Sequence, residues 1–93
     1  MNILEILESK RECLLTNKPL MFTADEMNIM CDPAQIRTLK MKVPMPDDFT
    51  KTSNQKQCLE NILNGDSIYR VLEYCIMTNR ALCSVKQYIR RLN

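Results

Sequence analysis

An apolar repeat near the C-terminus constrains the fold of this chain more than any other feature. Alternating intervals of three and four residues connect Ile68, Val71, Cys75, Thr78, Leu82, Val85, Ile89 and Leu92. This spacing places the side chains on one face of an α-helix, and only Thr78 among them is polar. The repeat predicts one long helix over residues 67 to 92. A break at Thr78 or Asn79, either of which can cap a following helix, is the alternative and gives two helices.

The rest of the chain also predicts helices. Apolar residues at helical spacing indicate four shorter ones, over residues 2 to 15, 24 to 30, 33 to 42 and 55 to 64. A single Gly among 93 residues argues against a hairpin-rich β fold. Pro44, Pro46 and the polar run that follows indicate an extended connector over about residues 43 to 54. We therefore expect an all-α fold, a compact bundle of about five helices that forms a single domain over residues 1 to 93.

Two helix starts lie close together in the first half of the chain. Thr23 and Glu26 have the spacing of a capping box, in which each side chain accepts a hydrogen bond from the backbone N–H of the other residue. Asp32 followed by Pro33 marks the second start, because Pro in the first helical position forfeits no hydrogen bond. We expect a short helix, a tight turn at Cys31 and a second helix with a basic end.

In layout this segment resembles the helix-turn-helix family of DNA-binding proteins. The resemblance implies that the second helix enters the major groove and contacts DNA through Gln35, Arg37, Thr38, Lys40 and Lys42. The interval between Thr23 and the second helix is shorter than in that family, and Cys31 and Asp32 stand where Gly is common. The alternative is a helical corner that packs into the core through Phe22, Met27, Met30, Ile36 and Leu39.

Positive charge is concentrated in the second half of the chain. Residues 1 to 50 hold six Lys or Arg against eight Asp or Glu, whereas residues 51 to 93 hold seven against three. No acidic residue follows Glu73. The cationic C-terminal segment therefore predicts a partner-binding surface made of Arg80, Lys86, Tyr88, Arg90 and Arg91. Six further apolar or aromatic residues lie off the apolar repeat, namely Tyr69, Leu72, Tyr74, Ile76, Met77 and Tyr88. This surplus apolar surface could meet a partner or a second copy of the chain.

The cysteines indicate free thiols. There are five of them, none lies in a C-x-x-C pair, and the chain has no His. This pattern predicts neither a disulfide framework nor a metal site, and we expect no cofactor. Free thiols suit a reducing, cytoplasmic location. Acidic residues interrupt the apolar residues at the N-terminus, so we expect no signal peptide, and no apolar run is long enough to span a membrane.

The residue types present do not predict an enzyme. Without His, no Ser-His or Cys-His arrangement can be built. We expect a small non-enzymatic regulator or inhibitor that binds a macromolecular partner, most simply a protein, through helical surfaces. The alternative is a helix-turn-helix transcription regulator that uses residues 24 to 42 and forms a dimer through the C-terminal helix. A phage or viral accessory protein would fit a domain of this size.

Overall fold

The described part of the chain contains six α-helices and one 3-10 turn. The structure is a computed structural model that describes residues 1–46 and 54–92, apart from the side chains of Cys83, Arg90 and Leu92. The helices are α1 (Ile3–Leu15), α2 (Ala24–Met30), α3 (Pro33–Lys42), α4 (Gln55–Leu63), α5 (Ile68–Thr78) and α6 (Cys83–Leu92), and the 3-10 turn is Arg80–Leu82. No strand occurs in residues 1–46 or 54–92. The all-α prediction is confirmed, with one more helix than expected.

Local capping explains where the helices begin. The predicted capping box is present at α2, where the Glu26 N–H donates to the Thr23 hydroxyl at 3.1 Å and the Thr23 N–H donates to the Glu26 carboxylate at 2.9 Å. Asp32 accepts a hydrogen bond from the Ala34 N–H at 3.0 Å and starts α3, with Pro33 in the first turn. Both predicted starts are therefore confirmed, and Cys31 alone separates the last residue of α2 from the N-cap of α3.

Most of the predicted connector lies outside the described residues. Residues 47 to 53 belong to the undescribed part, and Asn54 is the N-cap of α4. At the first residue of the predicted connector, the Tyr69 hydroxyl donates a hydrogen bond to the carbonyl oxygen of Val43. This bond fixes the chain just after α3 to the middle of the core.

The prediction of one long C-terminal helix is wrong, and the two-helix alternative is correct. α5 ends at Thr78, and Asn79 adopts an extended conformation with φ −130° and ψ 111°. The Asn79 side chain then accepts a hydrogen bond from the Ala81 N–H at 3.0 Å, which starts the 3-10 turn that leads into α6. Asn competes with the helix for backbone hydrogen bonds in this way, so it favours a helix boundary over a helix interior.

α5 is the central helix of the domain. It packs against α1, α4, the 3-10 turn and α6. The described side chains of the apolar repeat are buried, except for Thr78, which is exposed. Of the six residues expected to supply surplus surface, Tyr69, Leu72 and Ile76 are buried as well. For these three the expectation is wrong, because a helix surrounded by neighbours buries several faces. Tyr74, Met77 and Tyr88 are partly exposed.

The corner between α2 and α3 contributes to the same core. Met30, Ile36 and Leu39 are buried, and Phe22 packs against the core from a partly exposed position. This is the packing expected of the helical corner. It leaves the opposite face of α3, with Arg37, in solvent.

Candidate functional site

The two sets of candidate binding residues meet where α3 lies beside α6. The Arg37 guanidinium stands over the Tyr88 ring, 5.8 Å from its centroid. The Tyr88 hydroxyl donates a hydrogen bond of 3.4 Å to the carbonyl oxygen of Pro33. A residue expected to contact DNA and a residue expected to contact a protein are therefore direct neighbours.

A further contact joins the segments that precede the two helices. The Cys31 sulfur, just before α3, lies 3.8 Å from the carbonyl oxygen of Ala81, just before α6. Together with the contacts of Tyr88 to Pro33 and Arg37, this contact places α6 beside α3.

One more turn brings further residues onto the same side. On α3, Met41 follows Arg37 by four residues, and on α6, Arg91 follows Tyr88 by three, which places each pair on one helix face. Met41 and Arg91 are both exposed. We define the α3–α6 surface as the exposed or partly exposed side chains on this side of the two helices, Arg37, Lys40, Met41, Tyr88 and Arg91.

The charge on this part of the molecule has one sign. The segments that form α3, the 3-10 turn and α6 contain seven Lys or Arg and no Asp or Glu. Asp32 is the nearest acid in the sequence, and its carboxylate is already the N-cap of α3. Residues 1–30, by contrast, hold the acids of α1 and α2. The helices α3 and α6 therefore carry charge of one sign, which attracts negatively charged groups.

Other candidate residues lie away from this surface. Lys86 precedes Tyr88 by two residues and so projects from the opposite side of α6. Thr38 and Lys42 are exposed on the flank of α3 that faces away from Tyr88. Arg80 is exposed in the 3-10 turn. The side chain of Arg90 is outside the described part of the chain.

Two residues predicted to read DNA bases have partners within the protein. The Gln35 side-chain oxygen accepts a hydrogen bond from the Ile3 N–H at 3.3 Å, which ties α3 to the start of α1. The Thr38 hydroxyl donates to the carbonyl oxygen of Ala34 at 2.9 Å, within its own helix. A base contact by Gln35 would compete with the bond to Ile3, and Thr38 could meet a base only as an acceptor while it keeps its bond to Ala34.

A buried ion pair joins α1 to α2. The Lys10 ammonium lies 2.9 Å from a carboxylate oxygen of Glu26 and 5.2 Å from the centroid of the Phe22 ring. The Lys10 hydrogen bond, with that from Thr23, lowers the pKa of Glu26 below its ordinary value. Glu26 therefore stays ionised near neutral pH and holds no proton to give to a substrate. This pair has the features of a structural link between helices.

A second charged cluster lies within α5. The Arg70 guanidinium is 3.3 Å from both carboxylate oxygens of Glu73 and 3.3 Å from Asp66. The Cys58 sulfur lies 3.2 Å from the Arg70 carbonyl oxygen. These groups satisfy one another where α4 packs on α5, which explains how two charged residues remain buried in the central helix.

Three of the described thiols, Cys31, Cys58 and Cys75, are poor nucleophiles. Burial raises the pKa of both Cys58 and Cys75 to about 12, and nearby Glu73 adds to the effect at Cys58. Burial also raises the pKa of Cys31. Nucleophilic chemistry needs a thiolate, and these three groups remain protonated near neutral pH.

A surface groove next to α2 has few groups for chemistry. Its volume is about 500 Å³, and it is lined by Met1, Thr23, Asp25, Glu26, Asn28 and Ile29. Glu26 is already paired with Lys10. Within residues 1–46 and 54–92, no group of three His, Cys, Asp or Glu side chains could hold a metal ion. No helix in these ranges is both long and apolar enough to cross a membrane.

Sequence reasoning did not single out Met41. It is 86 % exposed, more than any other methionine in the described ranges. The signal was present, since Ile36 and Leu39 fix the inward face of α3 and Met41 falls outside it.

No known protein family, curated protein or solved structure matches the chain, so the α3–α6 surface is defined from its own residues alone.

Proposed function

We propose that this chain is a small non-enzymatic regulator or inhibitor that binds a macromolecular partner through the α3–α6 surface. The observation that carries the proposal is the juxtaposition of two helices whose charged residues are all basic, joined by the Arg37–Tyr88 contact. Like charges on neighbouring helices repel one another. An anionic partner removes that repulsion and is steered toward the surface as it approaches.

The state of the buried polar groups supports a non-enzymatic role. In the described ranges, every buried side-chain nitrogen or oxygen has a hydrogen-bond partner. The residues with shifted pKa values are held in ion pairs, in a capping box or in the apolar core. An active site instead places such a group in a cleft where a substrate can reach it.

DNA binding is a second candidate function. It is favoured by one feature, the two helices α2 and α3 that meet at a tight turn, the second of which carries only basic charges. The internal hydrogen bonds of Gln35 and Thr38 count against it. So does Asp32 at the N-terminus of α3, where phosphates would approach a recognition helix.

The proposal is tested by reversing charge on the surface and elsewhere. Arg37→Glu with Arg91→Glu changes the α3–α6 surface, and Lys18→Glu with Lys56→Glu makes the same change in net charge at exposed sites outside it. Binding of each variant to immobilised poly-glutamate and to a mixed-sequence DNA duplex is measured at ~50 and ~200 mM salt. Circular dichroism verifies that each variant is folded.

We expect wild type and the Lys18/Lys56 variant to bind at least one anionic probe, and the Arg37/Arg91 variant to bind it about tenfold or more weakly. Equal binding by the two variants would contradict the proposal, as would no binding of wild type to either probe. For the DNA candidate, a sequence preference that is lost in Gln35→Ala with Thr38→Ala would make base reading the better explanation.

A further inference from the structure

The most exposed apolar side chain of α3 lies among its cations. Met41 is 86 % exposed and stands one turn beyond Arg37 on the same face. On α6, the exposed Arg91 stands one turn beyond Tyr88, the residue that Arg37 contacts. The α3–α6 surface thus carries one exposed apolar side chain together with basic side chains.

This combination suits a protein better than a nucleic acid. A phosphate backbone is bound by hydrogen-bond donors and positive charge, and the methionine side chain offers neither. A thioether side chain does gain free energy when it leaves water for an apolar pocket, and its flexibility lets it fit pockets of irregular shape. Interfaces between proteins bury such residues at the centre and surround them with polar groups.

The aromatic residue of the surface already has partners within the protein. Arg37 stands over one face of the Tyr88 ring, and the Tyr88 hydroxyl is bound to Pro33. Proteins that bind single-stranded nucleic acid stack bases on exposed aromatic rings. The groups able to read a duplex, Gln35 and Thr38, have partners in the protein.

We infer that the partner of the α3–α6 surface is a protein surface on which acidic side chains surround an apolar pocket that receives Met41. The inference rests on the proposed function and specifies its partner class. The carboxylates of such a surface would face Arg37 and Arg91 while Met41 enters the pocket. Charge complementarity supplies orientation and association rate, and burial of Met41 slows dissociation.

The experiment uses the full chain and two defined probes. The first probe is a fluorescent synthetic helix with Leu along one stripe and Glu flanking it, and the second is a mixed-sequence DNA duplex. Met41→Ala is compared with Met21→Ala, a control methionine that is 73 % exposed between α1 and α2. The Arg37→Glu with Arg91→Glu variant is measured in parallel, by fluorescence anisotropy at two salt concentrations.

The inference predicts that the acidic helix binds wild type, that Met41→Ala weakens this binding about tenfold at both salt concentrations, and that Met21→Ala leaves it unchanged. Binding of the helix that is equal in Met41→Ala and wild type would overturn it, as would failure of wild type to bind the helix.

A different outcome is that wild type binds the DNA duplex more tightly than the acidic helix. If this DNA binding is lost in the Arg37/Arg91 variant and unchanged in Met41→Ala, the inference is overturned and the proposed function stays intact. If the Arg37/Arg91 variant binds each probe as tightly as wild type does, the inference and the proposed function are both overturned.

Discussion

Replacing Glu26 with Gln should destabilise the domain by about 3 kcal/mol, because it leaves the Lys10 charge buried without a counter-ion. Gln can keep its one oxygen in the position that accepts the Thr23 N–H, so the capping box is retained. Its NH2 group then faces the Lys10 ammonium, so Lys10 loses both the negative charge and the hydrogen-bond acceptor. The Lys10 side chain is 7 % exposed and its partner 15 %. Little water is therefore available to replace the lost carboxylate.

The magnitude follows from the burial of the pair. Removing one partner of a fully buried ion pair costs roughly 3–5 kcal/mol, and the partial exposure of Glu26 places this pair at the lower end. A domain of this size has a free energy of unfolding of about 5–15 kcal/mol, so the variant should still fold. Adding Lys10→Met removes the orphaned charge and should restore about 1–3 kcal/mol of the loss.

The same substitution should change the dependence of stability on pH. The pKa of Glu26 is lower in the folded protein than its ordinary value of 4.5, chiefly because of the Lys10 hydrogen bond. The stabilisation is therefore complete above the unfolded pKa of about 4.5 and is lost as pH falls through the lower, folded pKa. Glu26→Gln has no such titration, so the difference between wild type and variant should shrink in acid.

Urea unfolding followed by circular dichroism, at neutral pH and below pH 4, measures these effects. Lys10→Met with Glu26→Gln completes a double-mutant cycle with the single substitutions. A loss below about 1 kcal/mol in Glu26→Gln, or additive losses in the cycle, would show that the ion pair is not the stabilising link described here.

Two further predictions concern the helix break and the thiols. Asn79→Ala should lower the free energy of unfolding by about 1 kcal/mol through loss of the cap on Ala81, as measured by urea unfolding, while Asn79→Asp should keep most of it. Cys58 and Cys75 should resist alkylation at pH 8 until the protein unfolds, as resolved by peptide mass spectrometry, while the less buried Cys13 reacts first. Since both buried thiols keep their protons to about pH 12 but ionise at their ordinary value of 9.0 when unfolded, stability should fall as pH rises between these values.

Short-range signals made much of the secondary structure predictable. The capping box at Thr23 and the Asp32-Pro33 start depend on residues within one turn of each other, so the sequence displays both partners of each contact. The burial of Ile36 and Leu39 likewise follows from their spacing. Residues close together in the sequence are sufficient to predict these features.

The site depended on contacts that no local pattern displays. Pro33 and Tyr88 are 55 residues apart in sequence, yet the hydroxyl of one reaches the carbonyl of the other. The helix-turn-helix resemblance assigned Arg37 to a DNA surface, and charge counting assigned Arg91 to a protein surface. Only the packing of α6 beside α3 joins them, and α6 exists as a separate helix because α5 ends before Asn79.

That break shows what an apolar repeat specifies. Residues at alternating intervals of three and four face one side of a helix, but the same spacing is kept by two helices that each turn one side to a shared core. Cys75 and Leu82 lie on either side of Asn79, and both are fully buried. Thr78, the one polar member of the repeat, is exposed at the end of α5. The polar member of the repeat, Thr78, therefore marked the end of α5. In this chain, an apolar repeat with one hydroxyl-bearing residue is better interpreted as two helices than as one.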